Sequence, residues 1–326
     1  MNILYILGNG FDKAQGLATS YQDFYAEYKK IKPKSELESR LIKDIQSDYS
    51  TWADLEEGLG KYSNSFTDPG VFREILWTLN GRLKEYLKLQ VLRIDLLNLS
   101  KDRLINDLLN PQAELEPKQK IELNSYITQL EAGNVFINCV TFNYTDTFEK
   151  ILNQKDSFIG YLNSKQHPVY FNNLLHIHGN LDDLIILGVN DVSQIMNESF
   201  RNIPELIEEF VKPEVNNGCE NMKNETFSRY IREADIIVLF GVSVGITDSI
   251  WWQIIGERLD NPKDILRVVY YPYDIEKNTE LYPYRKMRWA NEYISLLKDR
   301  MKAVASVDDL RKRVYIGLNK LYFNLK

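Results

Sequence analysis

The tightest constraint on this chain is a series of short apolar runs that stop at glycine or a polar turn. Residues 3–7 run straight into Gly8-Asn9-Gly10, and comparable runs follow at 135–142, 174–177, 184–189, 235–240 and 265–271. Segments of this length, rich in β-branched residues, read as strands. Strands apolar on both faces suit a parallel sheet covered on both sides by helices. Helical segments at 203–211, 226–233 and 249–259 supply that cover. The fold class expected is α/β, an open and mostly parallel Rossmann-like sheet.

A helical stretch separates the first strand from the second. Val71, Ile75, Leu79, Leu83 and Leu87 recur four apart, one apolar stripe of a long helix. Ser20 with Asp23, and Thr51 with Asp54, have capping-box spacing. The organisation expected is a single α/β domain over residues 1–326, with a helical insertion at 20–132. The asparagine-rich segment 213–224 (Asn216, Asn217, Asn221) is expected to be a mobile surface loop.

Composition removes several function classes. The 46 acids outnumber the 40 bases, which disfavours a nucleic-acid partner. A basic cluster near the C-terminus (Lys298, Arg300, Lys302, Arg311, Lys312, Arg313, Lys320, Lys326) reads as a solvated helix face. Cys139 and Cys219 are the only cysteines, so there is no disulfide framework or CxxC zinc module. No stretch reaches the roughly 20 apolar residues that cross a bilayer, and residues 3–7 are too short for a secretory signal. A cytoplasmic location without membrane contact is expected.

Four segments could carry chemistry. Gly8-Asn9-Gly10-Phe11-Asp12 follows a strand, where glycines let backbone approach a pyrophosphate; plain turn punctuation is the alternative. A helical segment stands where a dehydrogenase would have its second strand and acid, which counts against hydride transfer. Thr141-Phe142-Asn143-Tyr144-Thr145 ends a strand, and the Asn143 amide could hold a ribose hydroxyl and a water, or simply cap a helix. His176-Ile177-His178-Gly179 places two histidines on one strand face, open to a catalytic base, a structural pair or a metal. With no further ligand set in view, no metal is expected. His167 falls in a polar loop. Gly241-Val242-Ser243 through Asp248 is another strand-to-glycine turn, with Thr247 or Asp248 as a possible N-cap and with Trp251 and Trp252 packing behind it.

Taken in order, these motifs, together with Gly16-Leu17-Ala18-Thr19-Ser20-Tyr21-Gln22-Asp23-Phe24 and Trp52-Ala53-Asp54-Leu55-Glu56, resemble the AbiH family of bacterial abortive-infection proteins. More distantly they are similar to the sirtuin-like NAD-binding fold, through Gly8, Gly10 and Gly16, Thr141-Phe142-Asn143, His178-Gly179 and Gly241-Val242-Ser243. Two departures stand out: the zinc-binding cysteine pairs are missing, and Thr145 replaces an acid two positions after the asparagine. The resemblance implies a phage-defence protein that hydrolyses NAD at the nicotinamide–ribose bond, with NAD as substrate or ligand and not as a redox cofactor. Asn143 and His178 would be catalytic, and Gly8, Asn9, Gly10, Phe11, Asp12, Thr141, Gly241 and Ser243 would bind the nucleotide. His176 is assigned to packing or support. A phage-derived trigger and a homo-oligomer are the partners it suggests. The alternative is a nucleotide-binding sensor without turnover. The resemblance leaves the roles of Trp52, Asp54 and Glu56 open.

Overall fold

In the computed structural model, which describes residues 1–130, 133–154, 156–162, 167–219, 221–273, 282–318 and 321–326, the first apolar run becomes β1 (Asn2–Leu7). It is joined by β2 (Val135–Thr141), β3 (Phe158–Leu162), β4 (His167–His176), β5 (Ile236–Phe240), β6 (Arg267–Tyr271) and β7 (Val314–Ile316). The spatial order is β3-β4-β2-β1-β5-β6-β7, parallel throughout except for β3 against β4. Without the β3 edge, the six parallel strands follow the 3-2-1-4-5-6 order of a doubly wound dinucleotide-binding sheet. The chain leaves β1 on one side through β2 and β4, then crosses to the other through β5, β6 and β7. The switch point therefore lies at the carboxyl ends of β1 and β5. The fold is Rossmann-like.

The helices divide into three groups. Between β1 and β2 run α1 (Gly10–Ala14), α2 (Tyr21–Tyr28), α3 (Glu36–Ser47), α4 (Leu55–Tyr62), α5 (Pro69–Val91), α6 (Lys101–Leu109) and α7 (Pro117–Gln129). The Ser20–Asp23 capping box forms at the head of α2, and Ile75, Leu79, Leu83 and Leu87 are buried along α5. The second expected box does not form. Asp54 itself caps α4, accepting from the Glu56 and Glu57 amides, and Thr51 bonds Asp48 instead. The remaining helices are α8 (Thr147–Leu152), α9 (Pro204–Phe210), α10 (Lys212–Gly218), α11 (Lys223–Glu233), α12 (Ser249–Asp260), α13 (Lys286–Arg300) and α14 (Val307–Leu310).

Alternation along the strands assigns the layers. Ile3, Tyr5 and Leu7 of β1 pack with α6, α7 and α8, while Leu4 and Ile6 pack with α11, α12 and α13. A third hydrophobic cluster joins α2 to α5 with α9 and with Ile185, Leu187 and Val189. The segment expected as an insertion thus splits: its first helices build a core of their own, and α6 and α7 cover the sheet.

That third cluster explains one correction. Residues 184–189 form no strand. They are drawn into the α2–α5 core, and only isolated bridges at Gly179–Ile185 and Val189–Val211 remain. The expected loop at 213–224 is also corrected, since Lys212–Gly218 is helical. Asn216 is buried there, with its amide donating to Ile177 O and Asn224 Oδ1. His167 opens β4 and does not lie in a loop. Much of the basic C-terminal cluster is absorbed locally: Lys298 donates to three carbonyls, Arg311 pairs with Asp308, and Lys312 with Asp309. Lys320 lies outside the described residues. Among the described residues, no helix is long and apolar enough to cross a membrane.

Candidate functional site

The strand ends at the switch point open onto a cleft of about 790 Å³. Its walls come from the turn after β1, the loops after β2, β4 and β5, and the helical layer at α4. The sequence-derived candidates Gly8, Asn9, Gly10, Asp12, Asn143, His178, Gly241 and Ser243 all line it. Two do not. The Phe11 ring is 1% exposed and packs among Phe148, Phe240 and Phe323, and Thr141 is buried with its Oγ1 accepting from the Asn143 amide.

The two glycine turns are pressed together, backbone on backbone. A Cβ on Gly10 would stand 2.4 Å from Gly241 Cα, and one on Gly8 would stand 2.6 Å from Gly241 O. Gly241 needs glycine twice over, because its φ is +62° and its own Cβ would meet Gly10. The Gly10 amide donates to Gly241 O at 3.0 Å, so it is spent inside the protein. This glycine therefore holds adjacent strand ends together, and a side chain there would force the two turns apart. Three residues on, Val244 is held at φ +52°, which costs a β-branched residue on the order of 1–3 kcal/mol.

His176 and His178 do not form the expected same-face pair. β4 ends at His176, so His178 lies two residues beyond the strand, where alternation no longer governs direction. His176 Nδ1 donates to Asn143 O at 3.0 Å, and its Nε2 meets Glu149 Oε1 at 2.5 Å. It therefore positions the Asn143 backbone, in keeping with a supporting role. The Asn143 carboxamide makes no hydrogen bond to the described residues, and Asn143 lines the cleft. The His178 ring stacks on Phe142 with centroids 5.0 Å apart, and its Nε2 is 3.0 Å from Asp248 Oδ1. A proton on Nε2 facing that carboxylate leaves Nδ1 as the basic nitrogen. Burial, then the Lys212 charge, push the His178 pKa below 6.5, while Asp248 pulls the other way.

Asp248 stands at the N-cap of α12 but makes no side-chain capping bond. Its carboxylate is turned to Lys212 Nζ at 2.8 Å, and the same ammonium meets Glu56 Oε2 at 2.7 Å. Lys212 and Glu56 are 3% and 5% exposed, so this is a buried ion cluster linking α4, α10 and the loop before α12. Glu56 and Asp248 titrate as a unit. Burial pushes Glu56 above its usual range, whereas Lys212 and His178 hold Asp248 well below its own. Lys212 stays charged because its two carboxylates outweigh desolvation.

Trp52, Asp54 and Glu56 acquire distinct roles. Trp52 is buried against Tyr62 and Gly58, Asp54 caps α4, and Glu56 in the first turn reaches the ion cluster. Lys212 escaped sequence reading, since a lone lysine after an amphipathic helix suggests solvent. Trp252 borders the cleft with its Nε1 donating to Gly245 O, and Trp251 packs on Phe227.

Asp12 is 1% exposed. Its Oδ2 accepts from Thr145 Oγ1 at 2.6 Å, and its Oδ1 has no hydrogen-bond partner. Burial pushes its pKa up to about 6, against the lowering effect of the Thr145 and Thr147 hydroxyls. Among the described residues, no group of three His, Cys, Asp or Glu side chains is arranged to hold a metal ion.

The family model for bacteriophage abortive infection AbiH matches residues 4–271, a span that takes in most of the residues lining this cleft, though not Pro272, Tyr273, Tyr293 or Leu296. No curated protein and no solved structure matches the chain.

Proposed function

Since the chain belongs to the AbiH family of bacteriophage abortive infection proteins, we propose that its contribution to phage defence is hydrolysis of NAD at the nicotinamide–ribose bond in this cleft. One observation carries the reading. A buried His178, paired on Nε2 and held in its neutral form, shares the switch-point cleft with the unpartnered amide of Asn143. In doubly wound sheets that crevice is where nucleotides bind.

The chemistry follows from these groups. The C–N bond breaks with its electron pair going to the pyridinium nitrogen, which leaves as neutral nicotinamide. The ribose carbon becomes oxocarbenium-like and is captured by water, whose proton goes to His178 Nδ1. Asp248 then stabilises the imidazolium. Asn143 orients the ribose and the water. The carboxylates of Asp12, Asp54, Glu56 and Asp248 line the cleft, and those that are ionised favour a transition state that gathers positive charge. The sirtuin-like resemblance of the motifs supports the same substrate. The glycine turns and Ser243 would flank the pyrophosphate, with Lys13 as the lining cation that has no carboxylate partner among the described residues.

The second reading, a nucleotide sensor without turnover, is favoured by the closed pairing of Lys212 with two carboxylates and by Thr145 in place of an acid. The deciding experiment incubates purified protein with NAD, with and without extract of phage-infected cells, and follows nicotinamide by chromatography. Release that Asn143→Ala and His178→Ala each abolish supports hydrolysis. NAD bound but left intact under both conditions supports the sensor.

A further inference from the structure

The charges in the cleft do not balance. Lys61 is held by Glu57 at 2.6 Å, and Lys212 by Glu56 and Asp248. Of the lining acids, Asp12 and Asp54 are left without a cationic side chain of their own. Asp54 spends one oxygen on the α4 amides. Asp12 is the more exceptional. It is almost fully buried, one oxygen is bonded only to a neutral hydroxyl, and the other is unsatisfied. The groups around it are the Thr145 and Thr147 hydroxyls, Glu149 on α8 and His176 at the end of β4. The Thr147 hydroxyl is near enough to lower the Asp12 pKa, but its Oγ1 makes no hydrogen bond of normal geometry and leaves Asp12 Oδ1 unsatisfied. A buried carboxylate oxygen left unpaired is costly, and the cost is recovered when a ligand brings positive charge or a donor to it.

We infer that Asp12 is a specificity-determining residue that selects the cationic pyridinium riboside end of the ligand over its uncharged dihydropyridine counterpart. This rests on the NAD reading and adds a redox-state preference to it. Asp12 and Asn143 both line the cleft, and of the two only the acid distinguishes charge. The phosphates belong away from Asp12, toward Lys13. Two unit charges about 6 Å apart in an effective dielectric near 20 differ from an uncharged pair by roughly a hundredfold in affinity, an upper limit for the selection. At pH 7.5 Asp12, with its pKa raised to about 6, is ionised and the preference operates.

The test uses the intact chain and carba-NAD, whose carbocyclic ring keeps the pyridinium charge but resists cleavage. Calorimetry at pH 7.5 compares carba-NAD with its dihydro form on wild type and on Asp12→Asn, which retains an acceptor for Thr145. Wild type should bind the oxidised form at least about tenfold more tightly, and Asp12→Asn should reduce that ratio toward one. Equal affinities in wild type, or a ratio unchanged in Asp12→Asn, overturn the inference while leaving the NAD reading in place. Failure of wild type to bind either compound overturns both. Should Asp12→Asn not fold, the wild-type ratio is followed from pH 7.5 down to pH 5, and a preference that does not shrink as Asp12 protonates near 6 overturns the inference.

Discussion

Replacing Lys212 by methionine removes the one ammonium between Glu56 and Asp248 while keeping most of the buried stem. Both carboxylates lie within 2.8 Å of Nζ, and Lys212 is 3% exposed, so water cannot take its place at little cost. Removing one partner of a buried ion pair typically costs about 3–5 kcal/mol. For a chain of 326 residues, an unfolding entropy near 2.1 cal/mol/K per residue turns about 4 kcal/mol into a fall in Tm of roughly 6 °C. The pH dependence gives the sharper signature. Without Lys212 the folded-state pKa of Glu56, already above its usual range, climbs further, and that of Asp248 rises with it. A carboxyl group so raised destabilises the folded state as pH climbs through that window. Lys212→Met should therefore lose most stability at pH 8 and regain part of it at pH 6, and adding Glu56→Gln should restore part of the loss at pH 8. Thermal denaturation at both pH values reads this directly. A variant as stable as wild type at pH 8, or one whose deficit is the same at pH 6, would refute the idea that Lys212 is the counter-ion of the pair.

The glycine contact makes a contrasting pair of predictions. Gly10→Ala should destabilise by more than about 3 kcal/mol because its Cβ would meet Gly241 Cα, whereas Gly245→Ala, with nothing nearer than 3.5 Å, should change Tm by no more than a degree or two. Denaturant melts compare them, and equal effects would remove the backbone contact from the account. For catalysis, Asn143→Ala and His178→Ala should each abolish nicotinamide release, and the double variant should be scarcely worse, as expected for groups acting on one transition state. Because the His178 pKa is pushed below 6.5, the acid limb of kcat/KM should be centred below pH 6.5; an acid limb centred above 6.5 would assign the base elsewhere.

How much of this could be read in advance depended on what each residue does locally. Residues 3–7, 135–141 and 236–240 declared themselves because a strand covered on both faces is apolar at nearly every position, Asn138 and Thr141 being the polar exceptions. The loops at their carboxyl ends followed, and with them Asn143, His178 and the paired glycine turns. β3 and β7 stayed hidden, the first interrupted by Gly160 at a register shift and the second only three residues long. Residues 184–189 have strand composition but are claimed by a different core, a tertiary decision that no local pattern carries. Lys212 and Glu56 were illegible for a related reason. Each occupies a position that is solvated by default, and each is buried only because the α2–α5 layer closes against residues 185–211.

The place of β1 in the sheet also sets a timetable. β1 is flanked by β2 and β5, and β5 is made some 230 residues after it. At roughly 5–20 residues per second, that is a delay on the order of 10–50 s. Until β5 arrives, Gly241 cannot lie against Gly8 and Gly10, and Asp248 cannot reach His178 or Lys212. The cleft cannot form before residues 236–248 are made, so a product truncated ahead of them would carry the glycine turn, Asn143 and His178 without assembling them into a site.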